Sequence, residues 1–318
     1  MQISVVIPCH NEAASLPDFH ARLVATAEAC AEEFAFIYVD DGSTDATAEV
    51  VAGFAQADPR VELLALSRNF GHEAASTAGL DYASGDAVIL IDADGQDPPE
   101  VIPALVDQFH AGYDVVAARR TNATGEGWFK PLASHWFYRV LRRCSDVDIP
   151  ADVGDFRLMS RQALDGLNQC RESSRFVRGL SAWIGFRQTT VPFERAPRKE
   201  GKSNYSIFKL FRLATDAILG FSDVPLRLCL LLTSVVAGFF LLASMGVTVA
   251  KCPFLSWIVS FDLFAAVVLL SLMTIGLYVG KCYRQGQRRP LYLIDHARSL
   301  LRQAAPRDTQ GDTHESNA

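Results

Sequence analysis

The 318-residue chain carries neither of the common glycine signatures for phosphate binding. No G-x-G-x-x-G follows a strand and no G-x-x-x-x-G-K-[ST] occurs, which removes dinucleotide folds and P-loop chemistry. There is no C-x-x-C pair and no His-Cys cluster. The seven cysteines (Cys9, Cys30, Cys144, Cys170, Cys229, Cys252 and Cys282) are scattered, a pattern of free thiols in a reducing compartment rather than of disulfides or zinc. No Ser-His-Asp or Cys-His set can be assembled from motifs. Basic residues are not in surplus: 30 Lys and Arg stand against 36 Asp and Glu, a formal charge of −6, so no nucleic-acid partner is expected. A basic-then-apolar leader is also missing, and no signal peptide is expected.

Apolar residues are abundant, and they are concentrated. Mean hydropathy is +0.13 although 21% of residues are charged. Residues 228–250 and 263–280 contain no charge at all. Each stretch is long enough to cross the roughly 30 Å hydrocarbon core as a helix. Only the turn around Lys251-Cys252-Pro253 separates them, which predicts a two-helix transmembrane hairpin over 226–280. Lys209, Arg212 and Arg227 precede the first span and Lys281, Arg284, Arg288 and Arg289 follow the second, whereas the turn offers Lys251 alone. The positive-inside bias therefore places both the large N-terminal region and the C-terminus in the cytoplasm, on a multi-pass protein of the inner membrane. Asp262, near the outer end of its helix, reads as interfacial. Before the spans, Ile207, Phe208, Leu210, Phe211, Leu213, Ala217, Ile218 and Phe221 recur at helical spacing. They predict a juxtamembrane amphipathic helix over 206–225 lying on the bilayer, with an ordinary core helix as the alternative. The tail, 281–318, is basic and then, after Arg302, polar and aperiodic, which predicts disorder.

Residues 1–205 form the other domain. Short β-branched runs at 3–8, 36–40, 61–67, 87–92 and 114–118 alternate with helical stretches at 13–33, 45–57, 73–83 and 99–111. That alternation predicts a mainly parallel sheet covered on both faces, with ligands bound beyond the carboxyl ends of its strands. Polar clusters follow four consecutive strands there: Pro8-Cys9-His10-Asn11-Glu12, Asp40-Asp41-Gly42-Ser43, Arg68-Asn69-Phe70-Gly71 and Asp92-Ala93-Asp94. Asp92 and Asp94 would repel one another unless a cation sat between them. Oxygen-only ligands favour Mg2+ or Mn2+, and an ion of this kind, still partly hydrated, also binds a diphosphate. An isolated D-x-D is equally the solvated end of a strand. His10 and His72 follow strands and could face the cleft, although a lone His is more often a hydrogen-bonding structural residue.

Taken together these segments resemble the inverting family-2 glycosyltransferases, and among them the polyprenyl-phosphate glycosyltransferases that act on dolichol or bactoprenol phosphate. The likeness lies in Val6-Ile7-Pro8-Cys9-His10-Asn11-Glu12, Val39-Asp40-Asp41-Gly42-Ser43-Thr44-Asp45, Ser67-Arg68-Asn69-Phe70-Gly71-His72-Glu73 and Asp92-Ala93-Asp94-Gly95-Gln96-Asp97-Pro98-Pro99-Glu100. It continues through Gly154-Asp155-Phe156-Arg157, Arg175-Phe176-Val177-Arg178-Gly179-Leu180 and Arg198-Lys199-Glu200-Gly201-Lys202-Ser203 to the end of the second span. Family members usually have a bulky apolar residue at Gly95 and often Lys at His72; neither departure is expected to touch a ligand.

The resemblance implies a GT-A-type, Rossmann-like catalytic domain that moves one sugar from a UDP- or GDP-linked donor to a membrane polyprenyl phosphate. Pro8, Glu12, Asp40 and Asp41 would border the base and ribose. Asp92 and Asp94, with Gln96 as a third oxygen ligand, would hold the metal on the diphosphate. Asp155 would stand near the reacting centre, as a base or as an orienting group; a strand-start carboxylate paired with Arg157 is the plain alternative. Arg119 would grip the acceptor phosphate. Arg198 and Lys202 would belong to a mobile loop closing on the diphosphate, or else to a basic juxtamembrane segment. Two other readings stay open: a processive polysaccharide synthase, whose Q-x-x-R-W this chain lacks, and a non-catalytic membrane protein that binds sugar nucleotides. A homo-oligomer is compatible with all of them.

Overall fold

In the computed structural model the described residues are 1–121, 153–173, 175–194, 224–244 and 253–302, with side chains described outside 240–260. They fall into two compact units, and residues 290–302 belong with the N-terminal one. Arg198, Lys202, residues 206–223 of the predicted 206–225 helix and the tail after Arg302 lie outside the described residues.

In the N-terminal unit, strands β1 (Gln2–Cys9), β2 (Glu33–Asp40), β3 (Val61–Ala65), β4 (Ala87–Leu90) and β5 (Val115–Arg120) alternate with helices α1 (Leu16–Glu28), α2 (Thr47–Ala57), α3 (His72–Tyr82) and α4 (Ile102–His110). Then come β6 (Val153–Ser160), α5 (Arg161–Gln169), α6 (Val177–Trp183) and β7 (Gln188–Phe193). The seven strands form one sheet in the order β3-β2-β1-β4-β6-β5-β7. All neighbours are parallel except β6, which runs antiparallel to both β4 and β5. β1 sits near the middle and is buried along its whole length after Gln2, as a strand covered on both faces should be. One face packs Ile3, Val5, Ile7, Phe36 and Tyr38 against Phe19 and Leu23 of α1. On the other face α3 comes so close that a Cβ on Gly79 would overlap Val6 Cγ1 and meet Val39 Cγ2 at 2.9 Å.

The sequence reading placed the start of α1 at residue 13 and the end of β4 at residue 92. The chain stays irregular from Asn11 to Ser15 because Asn11 takes a left-handed conformation, φ 57°. β4 stops at Leu90, so Asp92 stands on the loop just past the strand.

In the second unit the described helices are α7 (Val224–Ser244) and α8 (Pro253–Gly286). Among the described residues one stretch, Phe261–Gly286, is long and apolar enough to cross a membrane; the apolar stretch of α7, Val224–Phe239, is shorter. The two helices meet through polar side chains: the Cys229 thiol donates to Thr274 Oγ1 at 3.3 Å, and the Thr233 and Ser271 hydroxyls are 2.8 Å apart.

Candidate active site

Because β1 to β4 are parallel, their C-terminal loops open at one edge of the sheet. They enclose a cavity of about 290 Å³ lined by Pro8, Cys9, His10, Glu12, Asp41, Asn69, Gly71, His72, Ala75, Asp92, Ala93 and Asp94. The loops are stitched to one another. Asn11 N–H donates to Ser43 Oγ at 3.0 Å, Thr44 N–H donates to Asn11 Oδ1 at 2.8 Å, and Glu12 N–H donates to Thr47 Oγ1 at 2.9 Å. The Asp41 carboxylate accepts from Phe70 N–H at 2.7 Å and Gly71 N–H at 2.9 Å, tying the second loop to the third. Burial raises the Asp41 pKa while those two amides pull it back. Gly42 is required between them: its φ is +61°, and a Cβ there would run into the backbone of Arg68 and Asn69.

The far wall is built by the antiparallel strand. Leu90 of β4 pairs with Arg157 of β6. Two residues further along each chain, in opposite directions, bring Asp92 beside Asp155 on the same face. Two acids side by side need a cation, and His72 stands between them. It is the first residue of α3, set there by Gly71 at φ +100°. Its Nε2 is 3.6 Å from Asp92 Oδ1 and 3.6 Å from Asp155 Oδ2. Burial would lower the His72 pKa, but the two carboxylates outweigh it and raise it to about 9. Asp92 is pushed up to about 7, first by burial and then by Asp155, Asp97 and Asp94, against the pull of His72. Burial would also raise Asp155, yet Arg178, His72 and Arg157 hold it well below the usual carboxylate range. Arg178 Nη2 is 3.4 Å from both Asp155 oxygens. Arg157, 1% exposed, donates to Gly154 O at 2.6 Å, to Asp155 O at 3.1 Å and to Ser181 Oγ. Glu73, half-buried, is raised to about 7, first by desolvation and then by the charge of Asp155.

These groups fit a divalent ion. The buried Asp92 Oδ1 has no hydrogen-bond partner in the structure, an arrangement that costs free energy unless a cation satisfies it. One ligand atom each from His72, Asp92 and Asp155 lie within 4.8 Å of one another. Asp94 lines the same cavity, and its Oδ1 accepts from Gln96 N–H at 3.0 Å. Gln96 itself is buried, and its side chain is not part of the cavity lining.

The structure thus gathers Pro8, Glu12, Asp41, Asp92 and Asp94 around one cavity and sets Asp155 beside Asp92. Asp40 is 0% exposed and faces inward, its Oδ1 accepting from Ser43 N–H at 2.9 Å. Arg119 is exposed on β5 and does not line the cavity. Its neighbour Arg120 points the other way, with Nη2 3.5 Å from Asp97 Oδ1. Asp155 near the start of β6, 3.9 Å from Arg157, also satisfies the plain strand-start reading. His72 and Arg178 are not among the site residues expected from the sequence, although His72 could face the cleft and Arg178 lies in a segment of family likeness. His72 follows the third strand and departs from the family pattern, so a signal existed, but the expectation that this departure touches no presumed ligand does not hold: His72 touches Asp92.

Compared with protein-family models, residues 4–167 match the one described as Glycosyl transferase family 2. The chain is 38% identical over 315 residues to the uncharacterized glycosyltransferase YkcC of Bacillus subtilis (strain 168), covering 97% of this chain and 98% of that one. It is 36% identical over 301 residues to the bactoprenol glucosyl transferase of Shigella phage SfV, covering 92% and 98%. Solved structures with a similar course include S. aureus TarS 1–349 in complex with UDP-GlcNAc, at 21% identity, TM-score 0.47 and coverage of 70% and 68%. Another is the mannosyltransferase PcManGT from Pyrobaculum calidifontis in complex with GDP-Man and Mn2+, at 18% identity, TM-score 0.44 and coverage of 85% and 86%.

Proposed function

Because the chain belongs to glycosyl transferase family 2, we propose that it transfers a single sugar, with inversion, from a UDP- or GDP-linked donor to a membrane polyprenyl phosphate. The observation that carries this reading is a cavity lined both by Asp92 and Asp94, with His72 and Asp155 grouped around Asp92, and by a second set of polar residues, Glu12 and Asp41 beside Pro8. A nucleotide-diphosphate sugar matches both. Its diphosphate would lie at the acids around Asp92 and its nucleoside at Glu12 and Asp41, which offer acceptors for base N–H and ribose hydroxyls. Asp40 would act from behind this wall, by ordering the turn at Ser43.

Asp92 and Asp94, with His72 and Asp155 at hand, would hold Mg2+ or Mn2+; such an ion neutralises charge on a departing diphosphate. The acceptor phosphate is ionised at neutral pH and needs no strong base. Asp155 suits that requirement, since Arg178 and Arg157 hold it ionised and too weakly basic to take a proton near pH 7. Its role would be to orient the sugar or the acceptor. Arg119, on the outer face of β5, remains the candidate for the acceptor phosphate, and Arg198 with Lys202 for a closing loop over the diphosphate.

The acceptor assignment is supported by the bactoprenol glucosyl transferase, whose similarity extends over 92% of this chain. We read α7 and α8 as a hairpin in the cytoplasmic membrane, with Arg227, Lys281, Arg284, Arg288 and Arg289 on the cytoplasmic side. The product would be a lipid-linked single sugar serving as a donor for modifying envelope glycans. The test is incubation of the full-length protein with a panel of radiolabelled UDP- and GDP-sugars, Mg2+ or Mn2+, and undecaprenyl phosphate. Label entering the organic phase from one donor is the expected result. Insoluble polymer, or no transfer from any donor, overturns the proposal.

A further inference from the structure

Residues 290–302, read from the sequence as the approach to a disordered tail, lie ordered along β3. Leu63 and Leu300 exchange both backbone hydrogen bonds, at 3.1 and 2.8 Å, Asp295 N–H donates to Ala65 O at 2.8 Å, and Ser67 N–H donates to Leu293 O at 2.9 Å. The Tyr292 hydroxyl anchors the start of the segment on Asp81 Oδ2 at 2.8 Å. Since β3 is the edge of the sheet, this backbone pairing covers groups that an edge strand leaves open. Edge covering needs no particular side chain, yet one side chain reaches further. Arg298 Nη2 lies 3.2 Å from Asp40 Oδ2.

Asp40 links this arginine to the cavity. Its carboxylate is 0% exposed, so the groups it touches must replace water as its partners. One oxygen takes Arg298; the other takes Ser43 N–H at 2.9 Å. Ser43 Oγ in turn accepts from Asn11 N–H, and Asp41, between Asp40 and Gly42, holds the Phe70–Gly71 loop. These are three of the loops that line the cavity. A charge contributed near the C-terminus therefore sits at the root of a frame built from residues 9–71.

We propose that Arg298 is a positioning residue for the nucleoside end of the donor site, and that residues 290–302 are an integral part of that site. The inference rests on the donor assignment made above and adds a residue to it. With Arg298 in place the Asp40 carboxylate is held at both oxygens, and the Asp41-Gly42-Ser43 turn keeps Asp41 against the third loop. Without it a buried carboxylate loses its counter-charge and the turn relaxes. Asp92 follows β4 and Asp155 stands on β6, both outside this frame, so donor binding should suffer more than turnover at saturating donor.

The test uses the full-length protein in detergent, with UDP and GDP titrated calorimetrically and donor KM and kcat measured alongside thermal unfolding. Arg298 is partly exposed, so a modest effect is expected: Arg298→Ala should raise nucleotide Kd and donor KM about five- to tenfold, with kcat within about twofold. Arg298→Lys keeps the charge and should recover most of the loss. Tyr292→Phe loosens the same segment at Asp81, away from the cavity, and should leave Kd and KM at wild-type values. The proposal is overturned if Arg298→Ala binds nucleotide like wild type, if Lys is as weak as Ala, or if Tyr292→Phe weakens binding as much, which would make the segment a general scaffold. If Arg298→Ala does not fold, the comparison of Lys with Tyr292→Phe decides by the same criteria. A wild-type protein that binds neither nucleotide overturns the donor assignment itself and this proposal with it.

Discussion

Loading the acidic end of the cavity with a divalent ion should expel protons, and their source should change with pH. In the empty site Asp92 titrates near 7 and His72 near 9. A dication on Asp92 and Asp155 requires Asp92 ionised and cancels the two charges that raise His72, which then falls back toward its ordinary 6.5. At pH 6, Asp92 holds about 0.9 of a proton and gives it up, while His72 releases only about a quarter of one. At pH 8 Asp92 is already ionised, and His72 passes from about 0.9 protonated to nearly neutral. Roughly one proton leaves per ion at either pH, so the affinity should climb about tenfold per pH unit from 6 to 8. His72 keeps 44% of its side chain exposed, and water screens part of its attraction to the acids. That sets the floor at pH 8 at about half a proton.

The assay is titration of Mn2+ into the metal-stripped, full-length protein by calorimetry at pH 6 and pH 8, each in two buffers of different ionisation heat. The difference in apparent enthalpy between buffers counts the protons directly. Mn2+ binding without proton release at either pH would refute the placement of Asp92 and His72 around the ion. Release at pH 6 but none at pH 8 would keep Asp92 and remove His72.

Four further outcomes are expected. Asp94→Ala should lose nearly all transfer activity while keeping the wild-type unfolding temperature, and EDTA should abolish wild-type turnover; undiminished activity in EDTA would reject the metal assignment. Arg157→Met should cost about 3 kcal/mol in a denaturant titration, because it strips Asp155 of a buried counter-charge, and a loss under about 1 kcal/mol would show that Arg178 alone suffices. Gly79→Leu should destabilise the N-terminal unit by about 1–3 kcal/mol, since even its Cβ collides with Val6, and an unchanged unfolding temperature would contradict the close packing of α3 on the sheet. The product should carry one sugar of inverted anomeric configuration, checked by mass spectrometry and by the anomeric NMR coupling; oligosaccharide on the carrier counts against the single-transfer reading.

The parallel half of the sheet was legible because it obeys local rules. Val5-Val6-Ile7, Ile37-Tyr38-Val39 and Val88-Ile89-Leu90 are buried on both faces and therefore read as unbroken apolar runs, with the polar clusters falling beyond their ends. The acids of the cavity followed from those ends. The placement of Asp155 against Asp92 did not follow, because it depends on β6 entering the sheet antiparallel between β4 and β5, and β4 and β6 pair across more than sixty residues. The motif around Asp155 marked it as notable without saying which neighbour it would meet.

His72 and Arg298 were obscured for different physical reasons. A single imidazole has no period to detect, and its meaning here comes from Gly71, whose positive φ starts α3 where its first side chain meets acids from two strands. The apolar side chains of residues 290–302 fall in two short clusters, 291–294 and 300–301, too brief to announce an element, and the segment's order comes from backbone pairing with the edge of β3. Edge pairing is indifferent to side-chain pattern, so such a segment reads as coil however firmly it is held. The consequence for function is specific. If edge covering were all this segment did, replacing Arg298 would alter nothing in the cavity; a fully buried Asp40 with that arginine on one oxygen and Ser43 on the other makes the edge strap and the donor wall a single electrostatic unit.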